Sequence, residues 1–452
     1  MSYDLVLAGD VVLPDRVIRN GGLAISEGRI VSVLESTVGL EAREVREFPE
    51  QLLLPGGVDP HVHAYSGDVE PEGFARLTRG AAAGGITTVL DMPYDRPRPL
   101  TTPGLFRDKL DRLEAEALVD VGLYGTVPKY DGHLVVGDLA LEGVCAFKLS
   151  TYETDPVRFP EITSHELTRI LPEIAKTGLV VVFHAEDAGI IDPLLEQFNR
   201  QDVQSPLDHA ISRPLLAENL AVVKVLELAK AFPVKVHIAH LTSPRGYEVI
   251  ATYRDQGVDA TAEICLHYLV FSQTELLEHG AHAKCNPPLR DEVTRGQLWE
   301  LLLGGCIDFV TSDHVPWSKP EKSEPRILDN KSGLPGVQTL LPVLFSEAVV
   351  KRGLALPEFG RLVAYNPARR FGLAPRKGVL AVGADADICV LNPKEEWTVE
   401  TRALEAVSDL SPYDGLVVTG RVTATYVRGT AVFADGQFLE SPGFGELQRP
   451  VR

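Results

Sequence analysis

Over roughly the first 50 positions, apolar and polar residues alternate in short runs: Leu5 to Val12, Gly22 to Ser26, Arg29 to Leu34. Gly9-Asp10 and Glu27-Gly28 punctuate them, a pattern that predicts strands joined by tight turns. The end of the chain has the same texture, in Ala386 to Leu391, Gly420 to Val427 and Thr430 to Phe433, with Arg428-Gly429 and Asp435-Gly436 as turns. Each end alone supplies few strands for a stable core, so one β-sandwich built from both termini is expected, with two separate small sheets as the alternative. The middle has another rhythm. Short β-branched runs (Ile86 to Leu90, Val119 to Leu123, Val144 to Leu149, Leu179 to Phe183, Val234 to Ala239, Asp259 to Ala262, Cys306 to Thr311) alternate with helical stretches such as Arg107 to Ala117, Ser164 to Lys176 and Leu216 to Phe232. Seven or eight βα units predict a closed, TIM-like (β/α)₈ barrel in the α/β class rather than an open doubly wound sheet. No GxGxxG follows the first strand, which also counts against a dinucleotide fold. The expected division is a composite sandwich, 1–54 plus 379–452, and a barrel, 55–378.

Length and charge narrow the function. A chain of 452 residues exceeds one ordinary core, in keeping with a barrel plus an addition. Its 44 basic and 63 acidic residues leave a net charge of −19, which disfavours nucleic acid and anionic membrane surfaces as partners. No apolar run approaches the ~18 residues of a membrane span. The five scattered cysteines show no CxxC spacing, and the N-terminal MSYDLVLAGD has acids where a signal peptide has basic and apolar regions. A cytoplasmic enzyme is expected.

The chemistry concentrates where a barrel keeps its active site, at the C-terminal ends of strands. Apolar runs end in His61 and His63, Lys148, His184, His240 and Asp313. His61 and His63 are two apart, so on an extended segment they face one side and can grip one ion. Lys148 within an apolar run either pairs with Glu153 or is carboxylated by CO₂ into an anion able to bridge two metals. His184 alone could be a satisfied core histidine, and Asp313 a helix cap. His237 and His240 differ in strand parity, so one of them is expected to face inward, and His240 lies nearer the strand end. Together, six such residues on five strand ends predict a site for two divalent ions, with zinc suited to imidazole. Asp313 is then the catalytic residue, binding an ion while moving a proton from water to a leaving nitrogen.

The motifs PGGVDPHVH, EGF (72–74), AAAGGITTVLDMP, AFKLS, FHAED, AHLTS, TAEICLHYL, KCNPPLR, TSDHVPW, NPARRFGL and ADADICVL occur in this order along essentially the whole chain. The chain thereby resembles the amidohydrolase superfamily, in its cyclic amidase branch of dihydroorotases, hydantoinases or dihydropyrimidinases, and allantoinases. The resemblance implies that His61, His63, Lys148 and Asp313 hold the buried metal, with carboxylated Lys148 bridging to a second held also by His184 and His240. It implies hydrolysis of a C–N bond in a small cyclic amide or ureide by a homo-oligomer, a dimer or tetramer. TAEICLHYL, KCNPPLR and SPYDG (411–415) look most like allantoinase, which opens allantoin to allantoate. Hydantoinase, dihydropyrimidinase and dihydroorotase chemistry are the alternatives, with a metal-free scaffold as a remote one. Candidate substrate residues are Tyr65, Asp95, Tyr152, Asn286 and Pro316. Tyr65 stands where dihydroorotases carry an arginine for the substrate carboxylate, and Asp95 where the family has asparagine, so a neutral ring is expected. Segments 64–72 (with Tyr65, Asp68 and Glu70) and 315–333 are expected at the pocket mouth.

Overall fold

The computed structural model describes residues 3–67, 71–408 and 410–451; Asp68 and Glu70 lie outside the described residues. The N-terminal alternation folds as β1 (Tyr3–Val12), β2 (Val17–Ser26), β3 (Arg29–Leu34) and β4 (Ala42–Pro55). The middle supplies β5 (Gly57–Val62), β6 (Ile86–Asp91), β7 (Asp120–Gly125), β8 (Ala146–Ser150), β9 (Val180–His184), β10 (Lys235–Ile238), β11 (Ala260–Cys265) and β12 (Phe309–Thr311). The C-terminal part adds β13 (Ile388–Thr398), β14 (Val417–Val427), β15 (Thr430–Ala434) and β16 (Gln437–Phe438).

β5 to β12 form one sheet in chain order, with every neighbouring pair parallel. A bridge between Val62 and His314 closes it, with His63 N–H donating to the His314 carbonyl at 2.9 Å. This is the expected (β/α)₈ barrel. The second sheet has the order β16-β15-β14-β13-β4-β1-β2-β3. The termini meet where β4 pairs antiparallel with β13, and the sheet closes around Leu7, Leu23, Leu53, Ile388, Val390 and Ala424 as the expected separate β-sandwich. Independent terminal sheets are ruled out by that pairing. Among the described residues, no helix is long and apolar enough to cross a membrane.

Between β4 and β5 stands a single residue, Gly56. A Cβ there would lie 2.3 Å from Thr87 Oγ1, so glycine lets the crossing segment lie against β6. The sandwich thus runs almost without interruption into the strand that carries His61.

The two domains are pinned beneath the barrel by a buried ionic knot. Lys377 Nζ lies 2.5 Å from Asp120, 2.9 Å from Asp385 and 2.8 Å from Asp387. Arg428 of the β14–β15 turn binds Asp120 as well. The three carboxylates could hold a cation, and the Lys377 ammonium fills that role.

Candidate active site

A cavity of about 320 Å³ opens at the C-terminal end of the barrel, and all six expected metal ligands line it. His61 and His63 bracket the end of β5, as their two-residue spacing predicts. Their Nε2 atoms lie 3.1 and 3.3 Å from the same carboxylate oxygen of Asp313. Ligand atoms of His61, His63 and Asp313 fall within 4.8 Å of one another. At the neighbouring strand ends, His184 Nδ1 faces His240 Nε2 at 3.0 Å. Lys148 projects from β8, 3% exposed, and its ammonium nitrogen has no hydrogen-bond partner. The pairing with Glu153 does not form, because Lys129 engages Glu153 instead.

Burial sets the electrostatics. It pushes the Lys148 amine down to about 8, against the pull of Glu263 and Asp313, and moves His63 and His240 downward, so neutral imidazoles are favoured. Burial alone would raise the Asp313 carboxyl, but His61, His63 and His240 reverse that and hold it well below the usual range. Neutral imidazoles and an ionised carboxylate are the donors divalent cations take from a protein, and the Lys148 amine would join them once converted to an anion. The donor set fits two such ions.

The supporting groups were harder to see. Glu263, buried on β11, binds His61 Nδ1 and lies 3.1 Å from His237 Nε2. It also accepts the His240 backbone N–H at 3.2 Å. Burial would raise this carboxyl, but His61 and His237 overcome it and keep the group ionised. Its signal in the sequence was an acid inside an apolar strand, the same oddity that marked Lys148. The strand-parity expectation for β10 is corrected here. His237 and His240 both point inward, because His240 sits just past the strand with φ of 38°, a left-handed conformation that resets the side-chain direction. Asp313 has φ of 43° for the same reason of aim.

His184 has its own support. Its Nε2 lies 2.7 Å from Glu186, which makes Nε2 the protonated nitrogen and leaves Nδ1 a lone pair turned toward His240. Arg213 braces Glu186 from the far side. Although burial opposes ionisation, Arg213 and then His184 hold Glu186 at about 2. A carboxyl depressed from the usual 4.5 stabilises the fold above that value and stops doing so as pH falls toward 2. The gap in unfolding free energy between wild type and Glu186→Gln should therefore be largest near neutrality and shrink below pH 4.5. A gap that stays constant from pH 7 to 3 would take Glu186 out of the ionised network.

Of the candidate substrate residues, Tyr152 and Asn286 line the cavity, whereas Tyr65, Asp95 and Pro316 are not among its lining residues. Tyr65 turns outward, packs on Phe74 and donates to Glu116 at 2.9 Å. Asp95 is folded back onto Lys109 at 2.8 Å, which also holds Asp91. Pro316 lies between Val315 and Trp317, which do line the cavity. The expectation of a neutral ring rested on Tyr65 and Asp95, and neither faces the pocket.

A family model, described as the amidohydrolase family, matches residues 52–432. This chain belongs to the amidohydrolase family. Among curated relatives, an allantoinase of Rubrobacter xylanophilus is 35% identical, covering 100% of this chain and 98% of that protein. An allantoinase of Salmonella choleraesuis is 33% identical, with 96% of each covered. Among solved structures, an L-hydantoinase (dihydropyrimidinase) from Arthrobacter aurescens superposes with a TM-score of 0.94 at 30% identity, covering 99% of this chain and 100% of that one. A dihydropyrimidinase from Brevibacillus agri gives 0.90 at 27% identity, with 98% of each covered. The resemblance in the motifs is therefore one of the whole chain, and the amidohydrolase is an enzyme, as expected.

Proposed function

We propose that this amidohydrolase opens the C–N bond of a cyclic amide or ureide, with allantoin, opened to allantoate, as the first candidate. The observation that carries the reading is the convergence of His61, His63, Lys148, His184, His240 and Asp313 in one cavity. The allantoinase relatives and hydantoinase structures support the choice of ring. His61, His63 and Asp313 would hold one divalent ion, His184 and His240 a second, and carboxylated Lys148 would join them; zinc suits this mixture of imidazole and carboxylate. Bound there, the ions would supply Lewis acidity toward an amide carbonyl and toward water.

The chain's own residues supply the rest. Asp313, held ionised, takes a proton from the attacking water and delivers it to the ring nitrogen as the C–N bond breaks. Asn286 Oδ1 is buried without a hydrogen-bond partner, and Asn286 lines the cavity, which supports its accepting an N–H of the ring. Burial raises the Tyr152 phenol, so it stays protonated at neutral pH and can donate to the carbonyl oxygen as negative charge develops.

Assay of the metal-loaded protein against allantoin, hydantoin, dihydrouracil, dihydroorotate and cyclic imides tests the reading. Opening of none of these rings would overturn it, and the order of kcat/KM separates allantoinase from hydantoinase or dihydroorotase chemistry. Asp313→Asn retains shape and a coordinating oxygen but accepts no proton. Its turnover should fall at least ~10²-fold, the range of lost acid–base catalysis, while metal content falls far less. Near wild-type turnover in this variant would remove Asp313 from the proton path.

A further inference from the structure

One wall of the cavity carries a charge that the ring-opening steps leave unused. Arg158 is 3% exposed, and its guanidinium lies 4.3 Å from the centroid of the Tyr94 ring. Tyr94 stands edge-on to His63 at 6.0 Å, and Phe159 packs against both Tyr94 (5.5 Å) and His184 (6.2 Å). Arg158 is therefore one aromatic ring removed from the expected metal ligands. Arg213 has a similar placement, 4.5 Å from the Tyr152 centroid, but it is committed to Glu186 and through it to His184. Arg158 is held more loosely. It pairs with Asp155 at 3.3 Å, hydrogen-bonds the Tyr94 side chain and donates to the Ser66 carbonyl at 3.3 Å. The two measured contacts are long for an ionised donor, whose bonds usually run ~2.7–2.9 Å.

The surroundings are crowded with positive charge. Lys331 also lines the cavity, and burial together with the nearby charges of Arg96 and Arg158 pushes its ammonium downward. Asp155 and Glu321 are the acids that face this group. In a chain of net charge −19, a cationic corner beside the reaction centre is out of keeping with the rest of the surface.

We infer that Arg158 is a specificity-determining residue that reads a planar, oxygen-bearing arm on the ring carbon of the substrate. The inference rests on the ring-opening reading and adds to it the chemistry of the arm. With the amide at the histidine cluster, a substituent running along Tyr94 and Phe159 ends at the guanidinium. A ureido group and a carboxylate share the required feature, a planar terminus whose oxygens accept from a fork of N–H donors. An alkyl arm of equal length would cover the guanidinium and offer it no acceptor, and sites built for a polar group reject its apolar analogue strongly.

The test compares four substrates on the metal-loaded full chain: hydantoin, allantoin, 5-carboxymethylhydantoin and 5-propylhydantoin. Wild type should favour an oxygen-bearing arm over propyl by at least tenfold in kcat/KM. In Arg158→Gln that ratio should fall at least tenfold, with Arg158→Lys between the two. Because the ratio is taken within one variant, a smaller folded fraction does not alter it. A fall for allantoin alone identifies a ureido arm, and a fall for the acid alone a carboxylate. Equal use of propyl and oxygen-bearing arms by wild type, or an unchanged ratio in the variants, overturns the inference while hydantoin opening still upholds the ring-opening reading. Failure to open any of the four overturns both.

Discussion

Lys148→Ala should lose bound metal and ring-opening activity together, and short carboxylic acids supplied with metal should restore part of both. The lysine projects from β8 toward the histidines of the cavity, its nitrogen is buried without a partner, and Glu153 is already engaged by Lys129. Held near 8 by burial, the amine is neutral often enough at physiological pH to attack CO₂. In the proposed carboxylation a nitrogen–carbon bond would form, one proton would leave, and the neutral amine would become a carbamate anion with two oxygens. Alanine removes that anion and opens room for a small acid to take its place. Losing the carbamate proposed to join two ions would forfeit several kcal/mol of transition-state stabilisation, at least about 10³-fold in rate. Metal analysis and turnover, with and without acetate or propionate, check this. Full metal content and full turnover in the unsupplemented variant would refute the carboxylated bridge.

Lys377→Met should destabilise the fold by about 3–5 kcal/mol, the range for stripping the partner from a buried ion pair. The methionine matches the lysine in volume, so the loss is one of charge: Asp120, Asp385 and Asp387 would be left facing one another, with Arg428 the nearby cation. Urea unfolding of the variant should begin far below the wild-type midpoint. A stability within 1 kcal/mol of wild type would mean that the carboxylates find other partners or take up protons at small cost. Because the knot ties β7 to the segment entering β13, early loosening of the sandwich from the barrel is the expected first event.

What could be read from the sequence depended on how local the cause was. His61 and His63 declare themselves because a two-residue spacing on a strand is enough to aim both rings. The strand–helix rhythm likewise needs windows of a dozen residues. Glu263 is different: it meets His61 from 202 positions away, and nothing near either residue announces the other. His240 defeated the parity argument through a single positive φ, which alternation along a strand cannot register. Tyr65 sits at the expected offset from His63, yet the chain turns after Ala64, whose N–H is held by Asp91 at 2.7 Å, and the phenol leaves the cavity for Glu116. Asp95 was read as a pocket acid because Lys109, its partner, lies on a helix whose register against the loop emerges only in three dimensions. Spacing placed the expected ligands; the residues that brace them required the fold.

The pairing of β4 with β13 also constrains how the protein is made. Some 330 residues separate the end of β4 at Pro55 from the start of β13 at Ile388. At a synthesis rate of roughly 5–20 residues per second, the edge of β4 waits on the order of 15–70 seconds for its neighbour to be translated. During that interval Leu52, Leu53 and Leu54, all buried in the finished protein, are displayed on an unpaired edge. A nascent chain stalled or truncated before Ile388 thus presents a sticky strand joined through one glycine to the barrel strand that bears His61.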